Sequence, residues 1–228
     1  MKVSSLVFII TTVLLVSFAS AANAWDTFYD GSQLPTDEGW SLGGNDISEC
    51  STDGNALRIL DNRTDASAYF RKTVSAKGQP ITSEARLMVA GASETDTVQM
   101  LVSNLSFSTL LAFTPSQISV QFDWQEQSWL SFPADLSHYR TVRVATDSQG
   151  NSYVWLDGNL LTVGTTHVGG QGSMYFGAIG YAPTSESYWD YVAASPEFLP
   201  IPEPSSLLAL AGGLIGLGGL ALRRRRTR

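Results

Sequence analysis

Cysteine and histidine are almost absent from this chain, which has one cysteine, Cys50, and two histidines, His138 and His167. A lone thiol cannot close an intrachain disulfide, and a cysteine-type zinc site needs several such ligands, so stability has to come from burying apolar surface. Cys50 reads as a small buried thiol. Neither histidine has a His or Glu at metal-ligand spacing; His138 reads as a hairpin surface residue and His167 as a loop residue. No phosphate-binding glycine loop and no nucleophile elbow occurs. Basic residues are scarce between Trp25 and Pro204, where Arg58, Arg63, Arg71, Lys72, Lys77, Arg86, Arg140 and Arg143 face all 21 acidic residues, a balance of −13. Phosphate binding needs the opposite sign, which excludes nucleic acid as the expected partner. That stretch also lacks any amphipathic helical repeat of useful length.

The two ends are apolar. Lys2 precedes an apolar run from Leu6 to Phe18 and the small residues Ala19 to Ala24, the layout of a secretory signal peptide over residues 1–24. Ala22 and Ala24 suit the recognition positions and place the cut before Trp25. At the other end, Ser205 to Leu222 is an uncharged stretch of 18 residues, about 27 Å long as a helix and sufficient to cross a hydrocarbon core with slight thinning. The arginines that follow, Arg223, Arg224, Arg225, Arg226 and Arg228, hold that end in the cytoplasm and leave the middle of the chain outside.

Pro202-Glu203-Pro204, then the apolar stretch, then the terminal arginine cluster, together resemble the PEP-CTERM sorting signal. The resemblance covers about the last 27 residues, within a sorting segment over 199–228. It implies recognition by an exosortase, a membrane peptidase of Gram-negative bacteria that make exopolysaccharide, followed by tail removal and delivery to the surface. In that reading Pro202, Glu203 and Pro204 are the recognised motif, the four arginines at 223–226 are the retention signal, and the helix holds the chain in the inner membrane before processing. A plain C-terminal tail anchor is the alternative.

Between the ends the pattern is β. Gln117 to Asp123 puts Ile118, Val120 and Phe122 on one face and polar residues on the other, the alternation of a half-buried strand. Similar runs occur at Ala56–Leu60, Ser67–Lys72, Glu84–Val89, Thr97–Val102, Leu110–Phe113, Tyr139–Thr146, Tyr153–Leu156, Ser173–Ala178 and Tyr188–Ala193. Turn residues such as Asp53-Gly54-Asn55, Gln149-Gly150-Asn151 and Asp157-Gly158-Asn159 punctuate them, which predicts a sandwich or barrel in a single domain. The segment from His138 through Tyr153-Val154-Trp155-Leu156-Asp157-Gly158 resembles the central hairpin of laminin-G-like and concanavalin A-like domains. Ser187 to Val192 resembles their closing strand, which pairs with an opening strand, here Trp25 to Tyr29. The resemblance implies an all-β, concanavalin A-like jelly-roll sandwich over residues 25–198.

That fold hosts enzymes, lectins and structural modules, so function has to come from a site. Laminarinase-type hydrolases of the fold carry Glu-x-Asp-x-(x)-Glu on one strand, and Asp123 and Glu126 fall on its second and third positions. Gln121 stands where the nucleophilic carboxylate belongs, and an amide cannot form the glycosyl ester, so the cluster reads as a hairpin turn and no catalytic residue is assigned. Sugar rings stack on exposed aromatic faces, and Trp124, Trp129, Tyr181 and Tyr188 lie in or next to polar segments, making them the candidate carbohydrate-binding residues. Trp40, Trp155 and Trp189 read as buried. Calcium, which domains of this kind often carry, would draw on Asp26, Asp30 and Asp190 as the nearest carboxylates; no other cofactor is expected. The sequence thus predicts an exported surface or matrix protein that binds extracellular polysaccharide or serves a structural role, with a polysaccharide-acting hydrolase or lyase as the competing class.

Overall fold

The computed structural model describes residues 25–44, 47–62, 67–74, 78–92, 98–122, 128–166, 172–178 and 184–201. The expected signal peptide and the expected membrane segment lie outside them. In chain order the strands begin with β1 (Thr27–Tyr29), β2 (Ser41–Leu42), β3 (Cys50–Thr52), β4 (Leu57–Asp61) and β5 (Ala68–Thr73). Next come β6 (Ile81–Ala92), β7 (Val98–Ser103), β8 (Ser108–Thr114), β9 (Gln117–Gln121) and β10 (Leu130–Pro133). The last are β11 (Arg140–Thr146), β12 (Asn151–Leu156), β13 (Asn159–Thr165), β14 (Ser173–Ala178) and β15 (Ser185–Ser195). The sole helical element among the described residues is a 3₁₀ turn at Pro35–Glu38.

Two antiparallel sheets result. The eight-stranded sheet runs β13-β12-β11-β6-β15-β4-β3, and the seven-stranded sheet β10-β9-β8-β7-β14-β5-β2. The long closing strand β15 takes two partners on one side: Ser185–Trp189 pairs with β4, and Val192–Ala194 pairs with β1. The opening and closing strands thus meet as the sequence predicts, and the layout is a concanavalin A-like jelly roll. Long-range pairing of this kind leaves the core between the sheets.

Alternation decides which side chains enter that core. In β7 Val98, Met100 and Val102 point in; in β9 Ile118 and Val120 do. Trp189, Tyr29, Phe70, Phe113 and Phe176 are fully buried. Phe176 is the hub, with ring centroids 5.0 Å from Trp189, 5.1 Å from Trp40 and 5.7 Å from Phe70. The Trp189 indole N–H, which would be costly to bury unpaired, donates to the Ser187 hydroxyl at 3.0 Å. At one end a hydroxyl bridge ties the sheets: Thr109 of β8 contacts Ser152 of β12 at 2.7 Å, and Ser152 contacts Thr146 of β11 at 2.9 Å.

The central hairpin forms for local reasons. Asp147 accepts the Gln149 N–H at 2.8 Å and the Asn151 N–H at 2.9 Å, closing the β11–β12 turn. After β12, Asp157 and Gly158 both take positive φ, 48° and 81°, the conformation a two-residue hairpin requires and glycine tolerates best. Some strands escape the alternation rule. β9 stops at Gln121, two residues before the predicted Asp123. β13 and β10 were not predicted: β13 is an edge strand with Leu160 and Val163 exposed, and β10 is four residues ending in Pro133. An edge strand buries too little to need a clean apolar stripe.

Candidate functional site

Side chains that alternate with the core residues emerge on the outer face of the seven-stranded sheet. Register aligns Ser41, Arg71, Tyr175, Leu101, Leu110 and Gln121 in one row across six strands. A second row, two residues along, holds Tyr69, Gly177, Gln99, Ala112, Ser119 and Ser131. At the centre of this face Gln99, Ala112, Ser119 and Gln121 are buried although they point away from the core. Gly177 in the second row has a φ of 130°, and a Cβ built there would lie 2.5 Å from the Ala68 carbonyl oxygen and 3.2 Å from Ile59 in the core, so only glycine fits.

Aromatic rings stand at one side of these buried residues. Tyr69 and Tyr175 are half-buried, with ring centroids 5.9 Å apart, and the exposed Arg71 guanidinium lies 6.0 Å from the Tyr175 ring centre. At the other side the Gln117 amide donates to Ser119 at 2.8 Å and to Ser131 at 3.0 Å. The described strands of this sheet contain Arg71 and Lys72 as their charged residues, and Lys72 turns to Trp40 and the Glu38 carbonyl; the rest of the outer face is amide, hydroxyl and apolar groups, Leu101 and Leu110 among them.

The outer face of the eight-stranded sheet is built from ion pairs. Arg58 donates to Glu186 at 2.8 Å, Arg143 to Glu84 at 2.6 Å and Arg140 to Asp157 at 2.8 Å, and Arg86 pairs with Asp190. Tyrosines join in: Tyr188 donates to Glu186 at 2.6 Å and Tyr191 to Glu84 at 2.7 Å. Hydrogen bonds from Tyr188 and then Arg58 hold the Glu186 carboxyl below the usual range. Burial, then the bond to Glu84, pushes the Tyr191 hydroxyl above the usual tyrosine range.

The predicted binding residues are divided between these faces. Trp129 is 37% exposed; continuing the Leu130–Val120 register by one residue sets it opposite Gln121, at the end of the first row. Tyr188 lies on the other sheet with its hydroxyl engaged by Glu186. Trp124, Tyr181, Asp123 and Glu126 lie outside the described residues. Of the three aspartates considered for calcium, Asp190 pairs with Arg86 and Asp30 accepts the Ser32 N–H at 2.9 Å. Among the described residues no three His, Cys, Asp or Glu side chains gather as a metal shell. His138 is an exposed surface residue beside Asp135. Cys50 is buried. Trp40 and Trp189 occupy the core as predicted, whereas Trp155, also buried, is covered on the outer face by its stack with Tyr153. Tyr69 and Tyr175 were missed, although each alternates with a core phenylalanine in Ala68-Tyr69-Phe70 and Met174-Tyr175-Phe176, a readable sign of an outward tyrosine.

Residues 200–226 match the PEP-CTERM protein-sorting motif. No curated protein matches the sequence. Among solved structures the chain is similar to a conserved carbohydrate esterase of the Shiga toxin-encoding bacteriophage phi24B, with TM-score 0.55 and 12% identity over 73% of this chain and 95% of that one. It is similar to the cellulose-induced protein Cip1, with TM-score 0.54 and 10% identity over 76% and 96%. It also resembles a botulinum neurotoxin type C structure that ties cell entry to interaction with two ganglioside molecules, with TM-score 0.52, 8% identity and 74% of this chain covered. The chain spans 46% of that protein. At these identities the likeness concerns the fold. The protein is therefore a jelly-roll β-sandwich carrying a PEP-CTERM motif, which marks it for export and sorting to the surface.

Proposed function

We propose that the sandwich is a non-catalytic polysaccharide-binding module of the cell surface or extracellular matrix, delivered there by exosortase processing of its C-terminal tail. The observation that carries this reading is the outer face of the seven-stranded sheet, with the Tyr69–Tyr175 pair at one side and the part-exposed Trp129 at the other. Sugars present hydroxyls that exchange hydrogen bonds with amides and hydroxyls, and C–H faces that pack on aromatic rings. Gln117 and Ser131, which reach the surface, supply the first kind of group and the aromatic residues the second. A face of this composition suits a long, largely uncharged glycan lying across the strands.

A polysaccharide-acting enzyme is the competing reading, favoured by the likeness to a carbohydrate esterase and by Asp123 and Glu126, which follow Gln121 in sequence. Glycan-array binding by the purified chain separates the two, with calcium present and chelated and with Tyr175→Ala and Trp129→Ala as variants. Selective binding without turnover, reduced by either substitution, supports the binding module. Release of new chain ends from the bound glycan supports the enzyme, and absence of binding to every glycan supports a purely structural surface protein.

A further inference from the structure

Beyond the last strand, the chain crosses the outer face of the eight-stranded sheet instead of leaving it. The Thr82 hydroxyl in β6 donates to the Glu197 carbonyl at 2.7 Å and accepts the Leu199 N–H at 2.8 Å. Arg143 in the neighbouring β11 donates to the Leu199 carbonyl at 3.3 Å while its Nε stays on Glu84. The Phe198 ring sits 5.6 Å from Tyr153 in β12, itself stacked on Trp155 at 5.8 Å. Three consecutive residues are thus held by three adjacent strands, through side chains that the sandwich core does not use. Thr82 is fully buried, so its hydroxyl has no water to turn to.

Leu199, the last residue so held, stands three positions before Pro202. An extended chain covers at most about 3.3–3.6 Å per residue, so the three-residue connection from Leu199 to the motif reaches no more than roughly 10 Å. Peptidases commonly take their substrates as extended segments, with residues on each side of the motif in the cleft. We infer that Glu197, Phe198 and Leu199 form a clasp, and that removal of the tail from the folded chain waits on its opening. This rests on the sorting reading proposed above. When local opening and closing are faster than cleavage, the rate follows the open population.

Thr82→Val keeps the shape and deletes both hydroxyl bonds. At ordinary net strengths, losing two such bonds raises the open population about 5- to 150-fold. Two readouts on the full chain test this: hydrogen exchange of the Leu199 amide in detergent, and the rate of tail removal in an exosortase-bearing host. Thr82→Ser, which restores the hydroxyl, and Arg58→Ala, which breaks a pair elsewhere on the same face, serve as controls. The clasp predicts that Thr82→Val alone speeds both exchange and processing several-fold. Unchanged exchange at Leu199 overturns it, because the contact then does not hold in solution. Faster exchange with unchanged or slower processing also overturns it, because the contact then does not restrain the motif. Faster exchange with no tail removal from any variant, wild type included, contradicts the sorting reading itself and removes the clasp's role with it.

Discussion

The two outer faces of this sandwich share one core and differ in how their polar groups are satisfied. On the eight-stranded sheet, arginine and carboxylate neighbours pair with one another, as in Arg143 with Glu84 and Arg58 with Glu186. On the seven-stranded sheet, amides and hydroxyls share the face with the Tyr69–Tyr175 pair, and Gln117, Ser119 and Ser131 bond one another. A face of ion pairs carries charge-dependent stability. A face of amides, hydroxyls and aromatic rings has the chemistry of a surface for a partner rich in hydroxyls. Under the proposed function, stability and attachment fall to one side and recognition to the other.

The largest expected effect falls on the core common to both. Trp189→Ala removes a fully buried ring in contact with Phe113 and Phe176 and should cost about 3–5 kcal/mol in urea unfolding, disabling both faces together. Loss of one face with the other intact would mean that the sheets fold independently. Next, Glu84→Gln weakens the partnership with Arg143 and Tyr191, where the two charged side chains are 12% and 21% exposed. Its cost should be about 1–3 kcal/mol, with glycan binding by the opposite face unchanged; reduced binding would couple the faces.

Tyr175→Ala reverses that pattern. Binding should weaken about tenfold, the size of one lost aromatic stack together with its hydrogen bond, while the urea midpoint barely moves. The smallest effect is acid sensitivity. Glu186, held low by Tyr188 and Arg58, stabilises the fold above the unfolded value of about 4.3. That contribution is lost as pH falls through its lower folded value. In Asp147, burial raises the pKa, but hydrogen bonds from Asn151, Gln149 and Gly150 outweigh it and leave the group low, so it acts in the same window. Denaturation at pH 7 and at about pH 3 should show the loss, and Glu186→Gln should flatten the pH slope.

Much of the fold was legible because it is local. Alternation in Arg140–Thr146 and the Asp157-Gly158 turn announce the central hairpin without reference to the rest of the chain. The site was only partly legible. Trp129 could be chosen from its polar neighbours, but the Tyr69–Tyr175 pair arises from β5 meeting β14 across a hundred residues of sequence. Tyr188 carries the same polar context as Trp129, yet it lies on the opposite sheet because sheet membership follows long-range pairing. The docking of Phe198 on Tyr153 was hidden for the same reason.

The most direct measurement compares glycan binding by Tyr175→Ala and Tyr188→Ala, one tyrosine from each outer face, against the unsubstituted chain. The account predicts weakened binding for Tyr175→Ala and unchanged binding for Tyr188→Ala. Binding lost with Tyr188→Ala and retained with Tyr175→Ala would place recognition on the ion-paired sheet and contradict it.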